Sequence, residues 1–247
     1  MPPNPGDLNM IGSVLLCLGG LGLFLLGMVV LTDGLRALAG RALRRVLSRF
    51  TRSPLSGAMT GAATTAVVQS SSATTVATVG FVGAGLLTFP QALGIVLGAN
   101  VGTTMTGWLV ALLGFKLELG TAALPIVLVG VLIRLFAGGR ASSGGFAVSG
   151  FGMILVGISL LQEGMGGFVG VITPDSFPDN TWTGRLLLVA FGIGFTLLTQ
   201  SSSAGVAMAL AAVNASAMTV QQGAAAVIGM DIGTTVTAVL ATVGGSV

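Results

Sequence analysis

The chain has 247 residues, of which 53% are hydrophobic and 7% are charged, and its mean hydropathy is +1.00. Soluble domains carry about 25% charged residues. A soluble chain of this length cannot bury so large an apolar fraction in one core. The composition therefore predicts an integral membrane protein whose surroundings are the lipid bilayer.

The net charge of +3 does not indicate nucleic-acid binding, because the chain has only ten basic residues. Six of them are arginines in one stretch between apolar segments: Arg36, Arg41, Arg44, Arg45, Arg49 and Arg52. Such a stretch is typical of the cytoplasmic side of a membrane. We expect a multi-pass protein of the plasma (inner) membrane, with its N-terminus outside and residues 36–52 in the cytoplasm.

The residues available for chemistry exclude most enzyme classes. Histidine is absent, so the commonest general base and metal ligand is missing. The chain contains no Walker loop, nucleotide fingerprint or metal-ligand cluster. We therefore expect no enzyme, no organic cofactor and no transition metal.

The first apolar segment runs from about Met10 to Leu31, long enough to span a bilayer. After a tail over residues 1–9, it predicts a transmembrane helix that ends at Thr32-Asp33-Gly34. The leucines between the arginines predict a separate amphipathic helix in the membrane interface.

Residues 54–88 are too long for one span. As a single helix they would measure about 50 Å, against a hydrocarbon core of about 30 Å. Their centre reads Gln-Ser-Ser-Ser, which predicts a re-entrant hairpin of two short helices meeting at a polar tip. A helix follows over about 89–114, and two glycines predict an interruption at 98–102. A plain span over about 119–136 and a Gly/Ser-rich linker complete the first half.

A duplicated pair of polar blocks relates the two halves of the chain. Residues 69–73 and 200–204 both read Gln-Ser-Ser-Ser-Ala, and an offset of 131 also aligns GANVGTT at 98–104 with GMDIGTT at 229–235. The second copy predicts another hairpin from Gly184 to about Met218. A second interrupted helix should then run from about Thr219 to the C-terminus.

The number of membrane crossings predicts how the halves are oriented. If 54–88 is re-entrant, Arg134 and Arg140 lie inside and the acidic loop at 166–183 lies outside. A single crossing would reverse both, against the positive-inside rule. The predicted fold is therefore an all-α membrane protein with inverted repeats over 10–116 and 149–247, joined by a transmembrane helix and loop at 117–148.

The polar blocks predict two kinds of ligand site. Helix N-termini and hydroxyl and amide donors suit an oxyanion between the two tips. The candidate substrate residues are Gln69, Ser70, Ser71, Ser72, Gln200, Ser201, Ser202 and Ser203. Unwound carbonyls and neighbouring oxygens suit a small cation such as sodium. The candidate cation-binding residues are Asn100, Thr103, Thr104, Asp231, Thr234 and Thr235.

The acidic residues differ in their surroundings. Asp231 is the only one deep in an apolar stretch, where a carboxylate needs a bound cation or proton as its partner. Asp33 and Glu163 lie at predicted helix ends, and either interfacial solvation or a place in the transport pathway fits them. No cationic side chain is expected inside the membrane, so dipoles, neutral donors and co-bound sodium should balance the anion.

The paired Gln-Ser-Ser-Ser motifs, the Gly-Thr-Thr blocks and the segment Gly-Leu-Phe-Leu-Leu-Gly-Met at 22–28 resemble the type II sodium–phosphate cotransporters and their bacterial relatives. The resemblance covers nearly the whole chain. It implies sodium-driven import of inorganic phosphate by alternating access, with substrate and sodium at the tips. In the second block Asp231 replaces the family's usual Asn, which would alter ion stoichiometry or admit proton coupling.

The chain stops soon after its second block, whereas many bacterial relatives continue, so it is either a minimal member or a shortened one. Other readings stay open: a transporter for another oxyanion, one driven by protons, a passive pore, or a membrane subunit whose polar blocks join helices. The oligomeric state is also open, a homodimer being one arrangement.

Overall fold

A computed structural model describes residues 5–112 and 120–244, with side chains left out at 5–9, 40–44, 48–49, 120–121, 237–238 and 240–244. The described residues form helices and connecting turns without a β-strand. The α-helices are α1 (Pro5–Phe50), α2 (Pro54–Val68), α3 (Ser71–Gly83), α4 (Phe89–Leu109), α5 (Gly120–Phe136), α6 (Gly139–Gly166), α7 (Trp182–Thr199), α8 (Ser202–Asn214) and α9 (Val220–Gly244).

Within the described ranges, four stretches are long and apolar enough to cross a membrane: Met10–Ala39, Phe89–Leu112, Gly139–Gly166 and Trp182–Thr199. Large apolar side chains also cover much of the outer surface. Leu15, Phe136 and Leu198, for example, are 63%, 84% and 88% exposed. Such a surface suits lipid rather than water, and the predicted all-helical membrane protein is confirmed at this level.

Glycines bring α1 and α6 into backbone contact. A Cβ added to Gly20 would lie 2.8 Å from the carbonyl oxygen of Gly157, and one on Gly27 would lie 2.8 Å from that of Gly150. Real Cβ atoms do not approach so closely, so only glycine fits at these positions. The contacts follow opposite order along the two helices, which therefore run antiparallel.

The helices α2 and α4 are packed in the same way but run parallel. A Cβ on Gly94, Gly98 or Gly102 would overlap the carbonyl oxygen of Pro54, Ala58 or Ala62, respectively. Each pair is separated by 40 residues. Since α4 starts beside the start of α2, the intervening α3 must return the chain to that end, and it packs mainly against α4.

The second half repeats this register. A Cβ on Gly229 would overlap the carbonyl oxygen of Val189, and one on Gly233 would lie 3.0 Å from that of Ile193. Both pairs are again 40 residues apart, so α9 runs parallel to α7. One helix ends and another begins at both predicted points, between Val68 and Ser71 and between Thr199 and Ser202, although α7, with 18 residues, is longer than the predicted short helix.

The predicted interruptions at 98–102 and in the last helix were wrong. Both α4 and α9 are continuous through their Gly-Thr-Thr blocks. The glycines there admit the carbonyl groups of a neighbouring helix rather than ending their own. Carbonyls inside an intact helix bind their own helix's N–H groups, so unwound carbonyl ligands do not form here.

The predicted interfacial helix was also wrong as a separate element. The chain continues as one helix through Asp33 and Gly34 to Phe50, and residues 5–9 of the predicted tail belong to it. A Cβ on Gly34 would lie 2.5 Å from the backbone nitrogen of Ala147. Near its end, Leu47 is buried with Leu87 and Ile95. Tertiary packing therefore holds this stretch against the first half.

The predicted linker at 141–145 is helical instead, because α6 already begins at Gly139. A Cβ on Gly145 would lie 2.7 Å from the carbonyl oxygen of Gly130 on α5. This glycine serves a helix contact and not a flexible connection. Residues 1–4 of the predicted tail and residues 113–119, before α5, lie outside the described residues.

We expect Gly98→Ala to lower the free energy of unfolding by about 1–3 kcal/mol, the usual cost of overpacking. Gly80→Ala is the matched control, because nothing lies within 4 Å of a Cβ at that position in α3. The control should be neutral or stabilising by up to about 1 kcal/mol. Thermal unfolding in detergent measures both, and equal stability of the two variants would contradict the packing role.

Candidate functional site

The two Gln-Ser-Ser-Ser tips have nearly the same backbone. Gln69 has φ 57° and ψ 29°, and Gln200 has φ 53° and ψ 25°. The following residues, Ser70 and Ser201, are extended with φ values of −147° and −146°. A left-handed glutamine is uncommon and costs about 1–3 kcal/mol, a strain that clusters at functional sites.

Each glutamine ends the helix that precedes it. The Gln69 backbone N–H donates to the Thr65 carbonyl at 2.7 Å, and that of Gln200 donates to the Thr196 carbonyl at 2.8 Å. The Gln69 side-chain nitrogen donates to the Ala66 carbonyl. The Gln200 nitrogen donates to Leu197 in the same way at 2.7 Å. The side-chain amide of each glutamine thus donates to a carbonyl in the last helical turn that has no partner within the helix.

Each first serine starts the helix that follows. The Ser70 Oγ accepts from the Ala73 backbone N–H at 3.2 Å, and the Ser201 Oγ accepts from Ala204 at 3.2 Å. Serine is a preferred N-cap for this reason. The motif therefore consists of a helix end, a helix start and a first turn whose N–H groups point into the break.

The two tips border one cavity of about 300 Å³. All eight predicted substrate residues line it, so the structure brings together the two motifs that are 131 residues apart in the sequence. The remaining lining comes from one face of α1 and from α7 and α9: Leu25, Met28, Val29, Thr32, Asp33, Arg36, Thr196, Thr199 and Thr234.

A cationic side chain lies in this cavity, contrary to expectation. Arg36 Nη2 donates to Ser70 Oγ at 3.0 Å, and Arg36 Nη1 lies 3.8 Å from Asp33 Oδ1. Both side chains are about half exposed, at 44% and 56%. With the Ala73 N–H and Arg36 both donating to Ser70, the hydroxyl proton of that serine remains for a ligand.

Thr106 on α4 connects the two tips. Its Oγ1 donates to Gln69 Oε1 at 2.9 Å and lies 3.5 Å from Ser203 Oγ. The three polar groups form a chain from the first break to the second. A shift of one tip relative to the other would alter these contacts.

Thr196 places a buried hydroxyl at the cavity without a protein partner among the described residues. The equivalent residue in the first half, Thr65, donates from Oγ1 to Thr74 Oγ1 at 3.0 Å. The residue equivalent to Thr74 is Gly205, which has no side chain to offer. A buried hydroxyl without a partner is costly, so a ligand in the cavity would stabilise it.

The sequence held signals for the three threonines among these missed residues. Thr65 and Thr196 precede their glutamines by four residues in both copies, and Thr106 has an equivalent threonine at 237. Arg36 carried no such signal, because nothing separated it from the other five arginines until the path of α1 was known.

The six predicted cation-binding residues do not form one site. Thr234 lines the tip cavity. Thr103, Thr104 and Asp231 line a second, mostly apolar cavity of about 420 Å³ between α4, α8 and α9. Asn100 and Thr235 line neither cavity. Because the helices are continuous, successive residues turn by about 100° and point to different faces.

The four threonine hydroxyls of these blocks are engaged with their own helices. They donate to the carbonyl groups of Ala99, Val101, Met230 and Ile232, respectively, at 2.6–3.2 Å. Their oxygens keep lone pairs for a ligand. Of the two helix-end acids, Asp33 lines the tip cavity, whereas Glu163 is exposed outside it.

Comparison with known proteins identifies the family. A model of the Na+/Pi-cotransporter family matches residues 23–163 and 177–246. The chain belongs to this family. The resemblance seen in the sequence motifs is thereby confirmed, and so is the prediction that this cotransporter-family protein is not an enzyme.

Curated relatives span different shares of the chain. "Uncharacterized protein YqeW" of Bacillus subtilis is 30% identical over 90% of this chain and 71% of its own length. "Putative inorganic phosphate export protein YjbB" of Escherichia coli is 29% identical over 92% of this chain and 41% of its own. Human "Sodium-dependent phosphate transport protein 2B" is 35% identical over 42% of this chain and 15% of its own. No solved structure gives a significant match.

The left-handed break gives a stability prediction. We expect Gln200→Gly to leave the free energy of unfolding unchanged or to raise it by up to about 1 kcal/mol, since glycine adopts this conformation without strain. Gln200→Val should lose about 1–3 kcal/mol, because a branched side chain resists it. Thermal unfolding in detergent compares them. A valine variant more stable than the glycine variant would contradict a strained break.

Proposed function

We propose that this protein is a sodium-coupled symporter that imports inorganic phosphate by alternating access, with phosphate held between the two Gln-Ser-Ser-Ser tips. Membership of the Na+/Pi-cotransporter family supports the substrate class and the coupling ion. The observation that carries the site is the common cavity, which both tips and Arg36 line.

The cavity has the donors that a phosphate ion requires. The first turns of α3 and α8 present N–H groups and positive helix ends at Ser71 and Ser202. Arg36 supplies a full positive charge, and its planar group can bind two oxygens of one anion. The phosphate would replace part of the contact between Arg36 and Ser70, so that the guanidinium donates to the substrate instead of to the serine.

Sodium supplies the remaining positive charge in this proposal. A single guanidinium does not neutralise a phosphate dianion, and Asp33 offsets part of its charge. Sodium is a hard cation that prefers oxygen ligands. The hydroxyl oxygens of Thr196 and Thr234 lie along the same cavity and are free to accept such an ion. Phosphate and sodium would then each favour binding of the other.

Asp231 would set a second coupling position. It lines the apolar cavity with Thr103 and Thr104. In the sequence of the first half, the equivalent residue is Asn100. A carboxylate in apolar surroundings needs a cation or a proton. We propose that this residue takes sodium or a proton during transport, which distinguishes the two halves in ion coupling.

Alternating access would follow from two inverted repeats. The reciprocal contacts of Gly20 with Gly157 and of Gly27 with Gly150 support a two-fold relation between α1 and α6. The common 40-residue register of α2–α4 and α7–α9 supports equivalent re-entrant hairpins. We propose that the arginine stretch lies in the cytoplasm and that the cavity with the half-exposed Arg36 opens to that side.

We expect Gln69→Ala and Gln200→Ala to abolish uptake of labelled phosphate into proteoliposomes. Each substitution removes a proposed ligand group and the side-chain hydrogen bond at the end of the preceding helix. Gln221→Ala is the matched control, since this exposed glutamine on α9 lines neither cavity. Elution as a monodisperse protein confirms folding. Uptake close to the control value in both tip variants would refute the site.

Sodium coupling makes a separate prediction. Replacing sodium by choline should remove phosphate accumulation in proteoliposomes, and an inward sodium gradient should drive accumulation above the external concentration. A proton-driven carrier would respond to a pH gradient instead. A passive pore would only equilibrate phosphate, and a purely structural subunit would move none.

Export is a second candidate, which the name of the Escherichia coli relative favours. Phosphate-loaded vesicles with right-side-out protein distinguish the two directions. An exporter should release labelled phosphate against a higher external concentration, whereas the proposed importer should accumulate it when sodium is added outside.

A further inference from the structure

We propose that the carboxylate of Asp33 selects oxyanions that carry a proton, so that the site accepts phosphate and arsenate and rejects sulfate. The inference rests on the proposed phosphate site between the tips. It assigns the choice of substrate to a residue of α1, outside both duplicated motifs.

Among the residues that the structure describes, Asp33 is the only acidic side chain that lines the tip cavity. It lies one helical turn before Arg36 on the same face of α1. The 3.8 Å between Asp33 Oδ1 and Arg36 Nη1 exceeds hydrogen-bond length, so this oxygen is not committed to the guanidinium. The carboxylate is 56% exposed and therefore accessible to a ligand that enters the cavity.

The other polar groups around the anion position are mainly donors. Arg36, the serine hydroxyls and the helix N-termini all favour bare oxygens of an anion. An ionised carboxylate can only accept hydrogen bonds. Against a fully deprotonated anion it meets a negative oxygen, and the contact is repulsive.

Phosphate and sulfate differ at this point although their size and shape are similar. At neutral pH phosphate retains a hydroxyl group, which can donate to Asp33, whereas sulfate has none. Arsenate retains a hydroxyl as phosphate does. A site that pairs a polar group with a substrate hydroxyl discriminates strongly against an analogue that lacks it.

A simpler role for Asp33 is to orient Arg36. Exposed ion pairs between residues three apart stabilise a helix only slightly. If orienting Arg36 were the only role of Asp33, loss of the carboxylate would weaken the binding of phosphate, arsenate and sulfate alike. The ratio of sulfate to arsenate inhibition therefore separates selection from positioning.

The test uses the full chain in proteoliposomes and measures inhibition of labelled-phosphate uptake by sulfate and by arsenate. In the wild type, arsenate should compete and sulfate should not. In Asp33→Asn, whose amide can also donate, the preference for arsenate over sulfate should fall about ten- to a hundredfold, equivalent to one charge-assisted hydrogen bond. Glu163→Gln removes the same charge from the other helix-end acid, which is exposed outside the cavity, and should retain the preference.

An unchanged preference in Asp33→Asn would overturn the inference, as would wild-type inhibition by sulfate equal to that by arsenate. If Asp33→Asn does not fold, wild-type protein is tested with monofluorophosphate, a tetrahedral phosphate analogue without a hydroxyl at neutral pH. Weak competition supports the inference, and competition equal to arsenate overturns it. Absence of any phosphate transport in the wild type would instead refute the proposed function itself.

Discussion

Backbone contact at glycines is the constraint on which the rest of the structure depends. Lipid tails are as apolar as the side chains between two helices. Transmembrane helices therefore gain little from hydrophobic burial and associate through close packing. Glycines allow α1 to cross α6 and allow α4 and α9 to lie against α2 and α7. These contacts hold α2 and α7 against α4 and α9 in a common register. They therefore place two polar tips, distant in sequence, beside one cavity.

The two helix breaks have the same local structure in both halves. A left-handed glutamine ends one helix, and a serine caps the next. The same side chains that complete the backbone hydrogen bonding thus border the cavity. Structural roles and the proposed binding roles overlap here, so substitution at the tips must be assessed by stability and transport together.

The two halves share a scaffold but differ in their chemistry. Arg36 donates a hydrogen bond to Ser70 of the first tip. In the second half Gly205 leaves the Thr196 hydroxyl without the partner that Thr74 gives to Thr65. Asp231 likewise replaces Asn100. These unequal charges and donors support the proposal that the anion and its coupling ion bind at different places on a repeated scaffold.

Duplication and composition in the sequence alone determined the helical membrane class, both helix breaks, the eight tip residues and the family resemblance, because polar blocks in apolar segments are conspicuous. Only the tertiary structure decided what the glycines do and which arginine matters. A glycine that admits a neighbouring helix looks in sequence like one that ends its own. Arg36 reaches the cavity because α1 continues unbroken beside the first tip, a path set by its contact with α6.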